Sequence, residues 1–211
     1  MKNIRFIGDI HGKLDQLDKI VDHPNVVQIG DFGMGFQPIS ALSVDTTITQ
    51  QRNETNNRFR FIRGNHDDPA ECAKSMYWIK DGTIEDNIMY IGGGLSIDKE
   101  FRTPGISWWD DEELSIDELY RMIELYELNS PEVMVTHECP ESIANHVMIP
   151  AVSGHINIPS RTRDAFEVML AIKPPKIWIF GHWHHSLDWV DSSTGTRFIC
   201  LNELEYKDLE V

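Results

Sequence analysis

Five short apolar runs in this 211-residue chain each stop abruptly at a polar cluster, and that recurrence constrains the fold more than any other feature. Phe6-Ile7 runs into Gly8-Asp9-Ile10-His11-Gly12, and Val26-Val27-Gln28-Ile29 into Gly30-Asp31. Arg58-Phe59-Arg60-Phe61-Ile62 leads to Gly64-Asn65-His66-Asp67. Val133-Met134-Val135 leads to Thr136-His137, and Ile177-Trp178-Ile179-Phe180 to Gly181-His182-Trp183-His184. Runs rich in β-branched and aromatic residues read as strands, and α/β folds collect their chemistry at the carboxyl ends of strands. Stretches with helical spacing lie between them, beginning with Leu14, Leu17, Ile20 and Val21. Residues 187–190 and 197–201 flank the turn Asp191-Ser192-Ser193-Thr194-Gly195 and predict a closing hairpin. The class expected is α/β with mixed sheets.

The residue types at the strand ends point to divalent cations. Imidazole, carboxylate and amide oxygen suit borderline or hard ions such as Mn, Fe and Zn, and none of the five clusters contains a thiolate. One carboxylate can bridge two ions roughly 3.5–4 Å apart. Taken alone, Asp9-Ile10-His11 reads equally well as a turn with a helix cap, and a single His after a strand is more often an ordinary hydrogen bonder. The ordered set of five carries the argument.

In that order, Asp9-x-His11, Gly30-Asp31, Gly64-Asn65-His66-Asp67, His137 and Gly181-His182-x-His184 resemble the motif series of calcineurin-like metallophosphoesterases, in particular the small single-domain members from bacteria and bacteriophages. The resemblance implies one domain over residues 1–211, built as two mixed β-sheets packed in a sandwich, flanked by helices, with a dinuclear metal site at one end. It implies that Asp9, His11 and His184 hold one ion and Asn65, His137 and His182 the other, with Asp31 bridging. Manganese is the expected metal, with Fe, Zn or Ni as alternatives. His66 matches the family's histidine that is not a ligand, and Asp67 is a candidate to orient it. The implied activity is hydrolysis of a phosphate mono- or diester by in-line attack of metal-activated water, with His66 assisting the leaving oxygen.

The same motifs admit other readings. Gly8-Asp9-Ile10-His11-Gly12 resembles the serine/threonine protein phosphatase branch, but Phe32-Gly33 stands where that branch has Arg-Gly after the Asp-containing second motif, so its arginine clamp for phosphate is missing. A catalytically quiet protein-binding scaffold of the same fold tends to lose ligands, whereas all seven ligands and His66 are present here. His185 also creates His-x-His-His, but the Asp-His of a metallo-β-lactamase pattern does not follow.

Composition narrows the partners. The net charge of −15, from 19 basic and 34 acidic residues, with no cluster of Lys or Arg, disfavours a long nucleic acid as partner. A small phosphate remains compatible, because two divalent ions bring about +4 against about −2 from Asp9 and Asp31. A small or terminal phosphate ester, possibly a nucleotide, is the expected substrate class. No apolar run approaches a membrane span, and Met1 to Phe6 leads straight into the first motif without a signal-peptide pattern. Cys72, Cys139 and Cys200 lack metal-type spacing and suit a reducing compartment, so a cytoplasmic location is expected.

The remaining stretches give local expectations. Phe32-Gly33-Met34-Gly35-Phe36 is either a wall of the cleft or a loop packed on the core, and residues 43–57 are either a mobile loop or a weak polar helix. Asp68-Pro69 opens a short helix, and Gly92-Gly93-Gly94 bends the chain between two strands, 88–91 and 95–97. Arg102, Trp108 and Trp109 lie in an irregular segment, either gripping a leaving group or pinning a loop. Ser115-x-x-Glu118 is a capping box for a helix with the stripe Ile116, Leu119, Ile123 and Tyr126. His155 is a candidate for the cleft rim. Ser160 caps a helix through Ile172, with Arg161 and Arg163 expected in solvent.

Overall fold

Side-chain alternation along each strand decides which layer it faces. The computed structural model describes residues 2–36, 39–55, 58–152 and 158–211. In the first sheet β1 (Asn3–Ile7), β2 (Asn25–Ile29) and β3 (Arg58–Ile62) run parallel, and β10 (Tyr206–Glu210) pairs antiparallel with β1. In the second, β5 (Ile88–Ile91), β6 (Val133–Thr136), β7 (Ile177–Phe180) and β9 (Arg197–Cys200) run parallel. The antiparallel strands β4 (Thr83–Glu85) and β8 (Leu187–Val190) close its two edges.

Ile4, Phe6, Val27 and Ile29 of the first sheet meet Ile88, Tyr90, Val133, Val135 and Ile179 of the second in one buried layer. The alternate residues Met89, Ile91, Met134, Trp178 and Phe180 face outward, under α4 (Ile116–Asn129) and α7 (Arg161–Ile172). On the far side Ile7, Val26, Phe59 and Phe61 are covered by α1 (Leu14–Leu17) and α2 (Ala41–Thr55). Sheets covered on both faces account for strands that are apolar almost throughout. The sandwich flanked by helices is the architecture expected.

Local expectations fare unevenly. The polar stretch after residue 41 is helical, as α2. Asp68 caps α3 (Pro69–Cys72) by accepting the Ala70 N–H, and the Ser115 capping box is formed. Residues 95–97 form no strand: after the left-handed Gly93, Ser96 N–H donates to the Glu112 carboxylate instead of to a neighbouring strand. Ile116 is 61 % exposed, so the buried stripe of α4 is Leu119, Met122 and Tyr126. Arg163 is buried, with its Nε 3.0 Å from Glu141 Oε2 at the start of α5 (Glu141–Ile143), whereas solvent was expected. From there a π-helical stretch, Ala144–Met148, leads into α6 (Ile149–Ala151). His155 lies outside the described residues. β4 and β10 escaped prediction because β4 is half-exposed and only Leu209 of β10 is buried.

Candidate metal centre

Parallel pairing explains how residues more than a hundred positions apart converge. β1, β2 and β3 end side by side, Ile7 beside Gln28 and Ile29 beside Ile62, so Asp9, Asp31 and Asn65 emerge together. β6 and β7 likewise pair in parallel, which delivers His137 next to the 181–184 turn. At these exits the backbone turns sharply: His11 (φ 44°), Asp31 (φ 55°), His182 (φ 68°) and His184 (φ 46°) all adopt left-handed conformations. Each costs on the order of 1–3 kcal/mol and persists only where the surroundings enforce it. This bend lets His182 and His184 converge on the site as a straight strand could not. Gly64 and Gly181 permit the crowding, since a methyl group at either position would overlap the carboxylate of Asp31 or Asp9.

The side chains fall into two groups joined by Asp31. In the first group His184 Nε2 lies 3.1 Å from Asp9 Oδ2 and 2.9 Å from His11 Nε2. Asp9, His11, Asp31 and His184 each offer a ligand atom, all within 4.8 Å of one another. Asp9 Oδ2 is buried and takes no hydrogen bond. A buried carboxylate oxygen with no donor, facing two imidazole nitrogens, suits a cation. In the second group Asn65 Oδ1 lies 3.0 Å from His137 Nε2 and 2.8 Å from His182 Nδ1. Asp31 Oδ1 is 3.2 Å from His137 Nε2, while Asp31 Oδ2 is 3.8 Å from His11 Nε2. Carboxylate, imidazole and amide oxygen across the two groups are donors of the kind that suits divalent cations, and Asp31 adjoins both groups.

Partners behind the second group fix its orientation. His137 Nδ1 donates to the Ile29 carbonyl at 3.0 Å, leaving Nε2 for the centre. Asn65 Nδ2 donates to Ser96 Oγ at 2.9 Å, and Ser96 Oγ donates to Glu112 Oε2 at 2.6 Å. That chain settles which way the Asn65 amide points. Glu138, buried and accepting from Trp183 Nε1, stands 3.5 Å behind His182 Nε2. Ser96, Glu112 and Glu138 were not anticipated. The Asp110 to Glu113 acidic run gives no sign that only some of its members turn inward.

Charge is shared unevenly here. Burial alone would lower the His137 pKa, but the adjacent Asp31 carboxylate outweighs it and raises the group to about 10. Asp31 is held well below the usual carboxylate range despite its burial, chiefly by His137 and His66. His182 is pushed down to about 3 by burial and by the charge on His137. His66 sits 3.8 Å from Asp31 Oδ2, and burial, assisted by Arg102, keeps it below the ordinary histidine value in spite of Asp31.

Asp67 does something other than orient His66. Its carboxylate accepts the N–H groups of Phe32, Gly33, Met34 and Gly64 at 2.7–3.0 Å, which ties the loop after Asp31 to the loop after β3. Neighbouring side chains diverge, so Asp67 points into the loops while His66 faces the cleft. The Phe32 to Phe36 loop meets both expectations, because Phe32 and Met34 are buried while Phe36 lines the cleft. Trp109 is nearly buried and packs edge-on against Phe36, pinning that wall. His11, His66, His184, Arg102, Lys13 and Phe36 border a cleft of about 610 Å³.

The calcineurin-like phosphoesterase family model matches residues 2–186. The chain belongs to the calcineurin-like phosphoesterase family. A dimetal phosphatase from Danio rerio has a similar fold, with TM-score 0.57 and 14% identity over 96% of this chain and 87% of that one. A Thermotoga maritima protein solved by NMR aligns over 100% of this chain and 92% of its own, with 14% identity and a TM-score of 0.40. No curated protein matches the sequence. Among the described residues no helix is long and apolar enough to cross a membrane.

Proposed function

We propose that this phosphoesterase hydrolyses a small or terminal phosphate ester at a centre of two divalent ions, manganese being the best fit. The observation that carries the reading is the convergence of Asp9, His11 and His184 on one side of Asp31 and of Asn65, His137 and His182 on the other. When bound, such ions neutralise phosphoryl oxygens and acidify water, which is the chemistry phosphate ester cleavage needs. The protein's own part is placement. Ile29 and the Ser96–Glu112 pair hold His137 and Asn65 with their ligand atoms facing inward. Asp67 braces the loops that carry Asp31 and Asn65.

His66 faces the cleft beside Asp31 and is proposed to stabilise the leaving oxygen. Its depressed pKa means a neutral imidazole near pH 7, which serves by hydrogen bonding rather than by full proton transfer. His66→Asn should retain metal while turnover falls by roughly 10–100-fold, the worth of one hydrogen bond to a developing charge. Parallel loss of metal would show that the residue is a ligand.

The direct test is hydrolysis of p-nitrophenyl phosphate and bis-p-nitrophenyl phosphate by chelator-stripped protein, with Mn restored and bound metal counted. Metal-dependent turnover is expected. Protein that binds no metal and cleaves neither ester would instead favour the scaffold reading.

A further inference from the structure

Phe32 follows Asp31, and the arginine of this cleft comes instead from a distant segment, Arg102. Arg102 follows the 3-10 turn Lys99–Phe101 and reaches the same cleft as His66. Asp98 grips one edge of its guanidinium, with Nε donating to Oδ1 and Nη2 to Oδ2, both at 2.7 Å. The Ser107 carbonyl accepts from Nη1 at 3.2 Å. A guanidinium has five N–H groups, and these contacts use three. The other two point at His66, Nη1 toward Nδ1 and Nη2 toward Nε2 at 3.1 Å. A neutral imidazole has one lone pair and accepts only one of them. Arg102 therefore holds a donor fixed in direction over the residue that faces the leaving group, beyond what the ring can take.

We infer that Arg102, oriented by Asp98, hydrogen-bonds a phosphoryl oxygen of the substrate and makes the site selective for phosphate monoesters. This rests on the phosphoesterase reading and adds the ester class. In an in-line reaction three oxygens surround phosphorus besides the attacking and leaving ones. Two are the natural partners of the ions. In a monoester the third is a free anionic oxygen, matched to a planar donor fork, whereas in a diester it carries a second organic group. Lys13 borders the same cleft, but its ammonium is engaged by Glu203. Asp98 offsets the charge of Arg102, so directed donors rather than net charge do the selecting.

The experiment compares Mn-loaded wild type, Arg102→Ala, Arg102→Lys and Asp98→Asn, counting bound metal and measuring kcat/KM for both p-nitrophenyl esters and the affinity for inorganic phosphate. Arg102→Ala should keep its metal and lose about 10–100-fold in kcat/KM on the monoester, the worth of one charge-assisted hydrogen bond, with less than about threefold change on the diester. Lysine should recover only part of the loss. Asp98→Asn should shift the monoester-to-diester ratio in the same direction by less, as a positioning residue does. Equal losses on both esters, or none, would overturn the assignment. If the wild type binds no metal and cleaves neither ester, the phosphoesterase reading fails. Whenever neither ester is cleaved, Arg102 is judged by phosphate binding, and unchanged affinity in Arg102→Ala rejects the inference.

Discussion

The two halves of the centre are built differently. His137 is wholly buried and His182 nearly so, and a backbone carbonyl, the Ser96–Glu112 pair and Glu138 stand behind that half. His184 is 48% exposed and His11 25%, and the contacts described for their rings are with each other, with Asp9 and Asp31, and with His66. A ligand locked by outer hydrogen bonds gives up little entropy on binding an ion, whereas an exposed imidazole must be ordered first. The buried half should therefore hold its ion more tightly, and the exposed half should exchange with solvent. Stepwise chelation is expected to remove one equivalent well before the other.

The largest effect should come from the residue the halves share. Asp31→Asn removes the bridging charge, so both equivalents should dissociate together and turnover should fall by roughly 10³-fold or more. Two metals bound tightly in that variant would take Asp31 out of the bridge. The halves separate when their histidines are compared. His137→Ala leaves the buried Asp31 without its partner and should cost about 3 kcal/mol of stability in addition to the tightly held ion. His184→Ala sits at the surface and should change stability by less than about 0.5 kcal/mol while losing the labile ion. Equal destabilisation by the two variants, read from urea midpoints, would erase the proposed asymmetry.

That asymmetry also explains what could be read from the sequence. Strand ends announce themselves locally, because an apolar run stops at a glycine and a ligand type, as at Gly30-Asp31 and Gly64-Asn65. The seven candidate ligands drawn from such endings lie close together, around Asp31. Residues that act from behind carry no local pattern: Glu112 follows Asp110 and Asp111 in an acidic run, and only the bend at Gly93 brings Ser96 beneath it. Asp67 shows the converse. Its place in the Gly64-Asn65-His66-Asp67 motif suggested a partner for His66, yet backbone donors 33 to 35 positions away claim its carboxylate. Arg163 misleads for a similar reason, since a first-turn arginine normally meets water, and here the start of α5 packs over it.

The outer contacts give the next smaller effect. Glu112→Gln keeps the shape but exchanges an acceptor for a group that can also donate toward Ser96, loosening the orientation of the Asn65 amide. Affinity for the tightly held ion should fall by about 10–100-fold, with the labile ion unaffected. Loss at both positions would mean that Glu112 supports the whole loop and not one amide.

The smallest effect is linked to protons. An ion takes an unprotonated imidazole, so below its pKa of about 10 His137 must release a proton on binding. His182, at about 3, is already neutral at working pH and releases none. Uptake by the buried half between pH 7 and 8 should therefore release about one proton, and affinity should rise with pH by at most about tenfold per unit, levelling above about pH 10. Calorimetry in buffers of different ionisation enthalpy reads that count directly. Release of two protons would mean that His182 shares the charge, and release of none that Asp31 does not protonate His137; either result would place the difference between the halves in exposure alone.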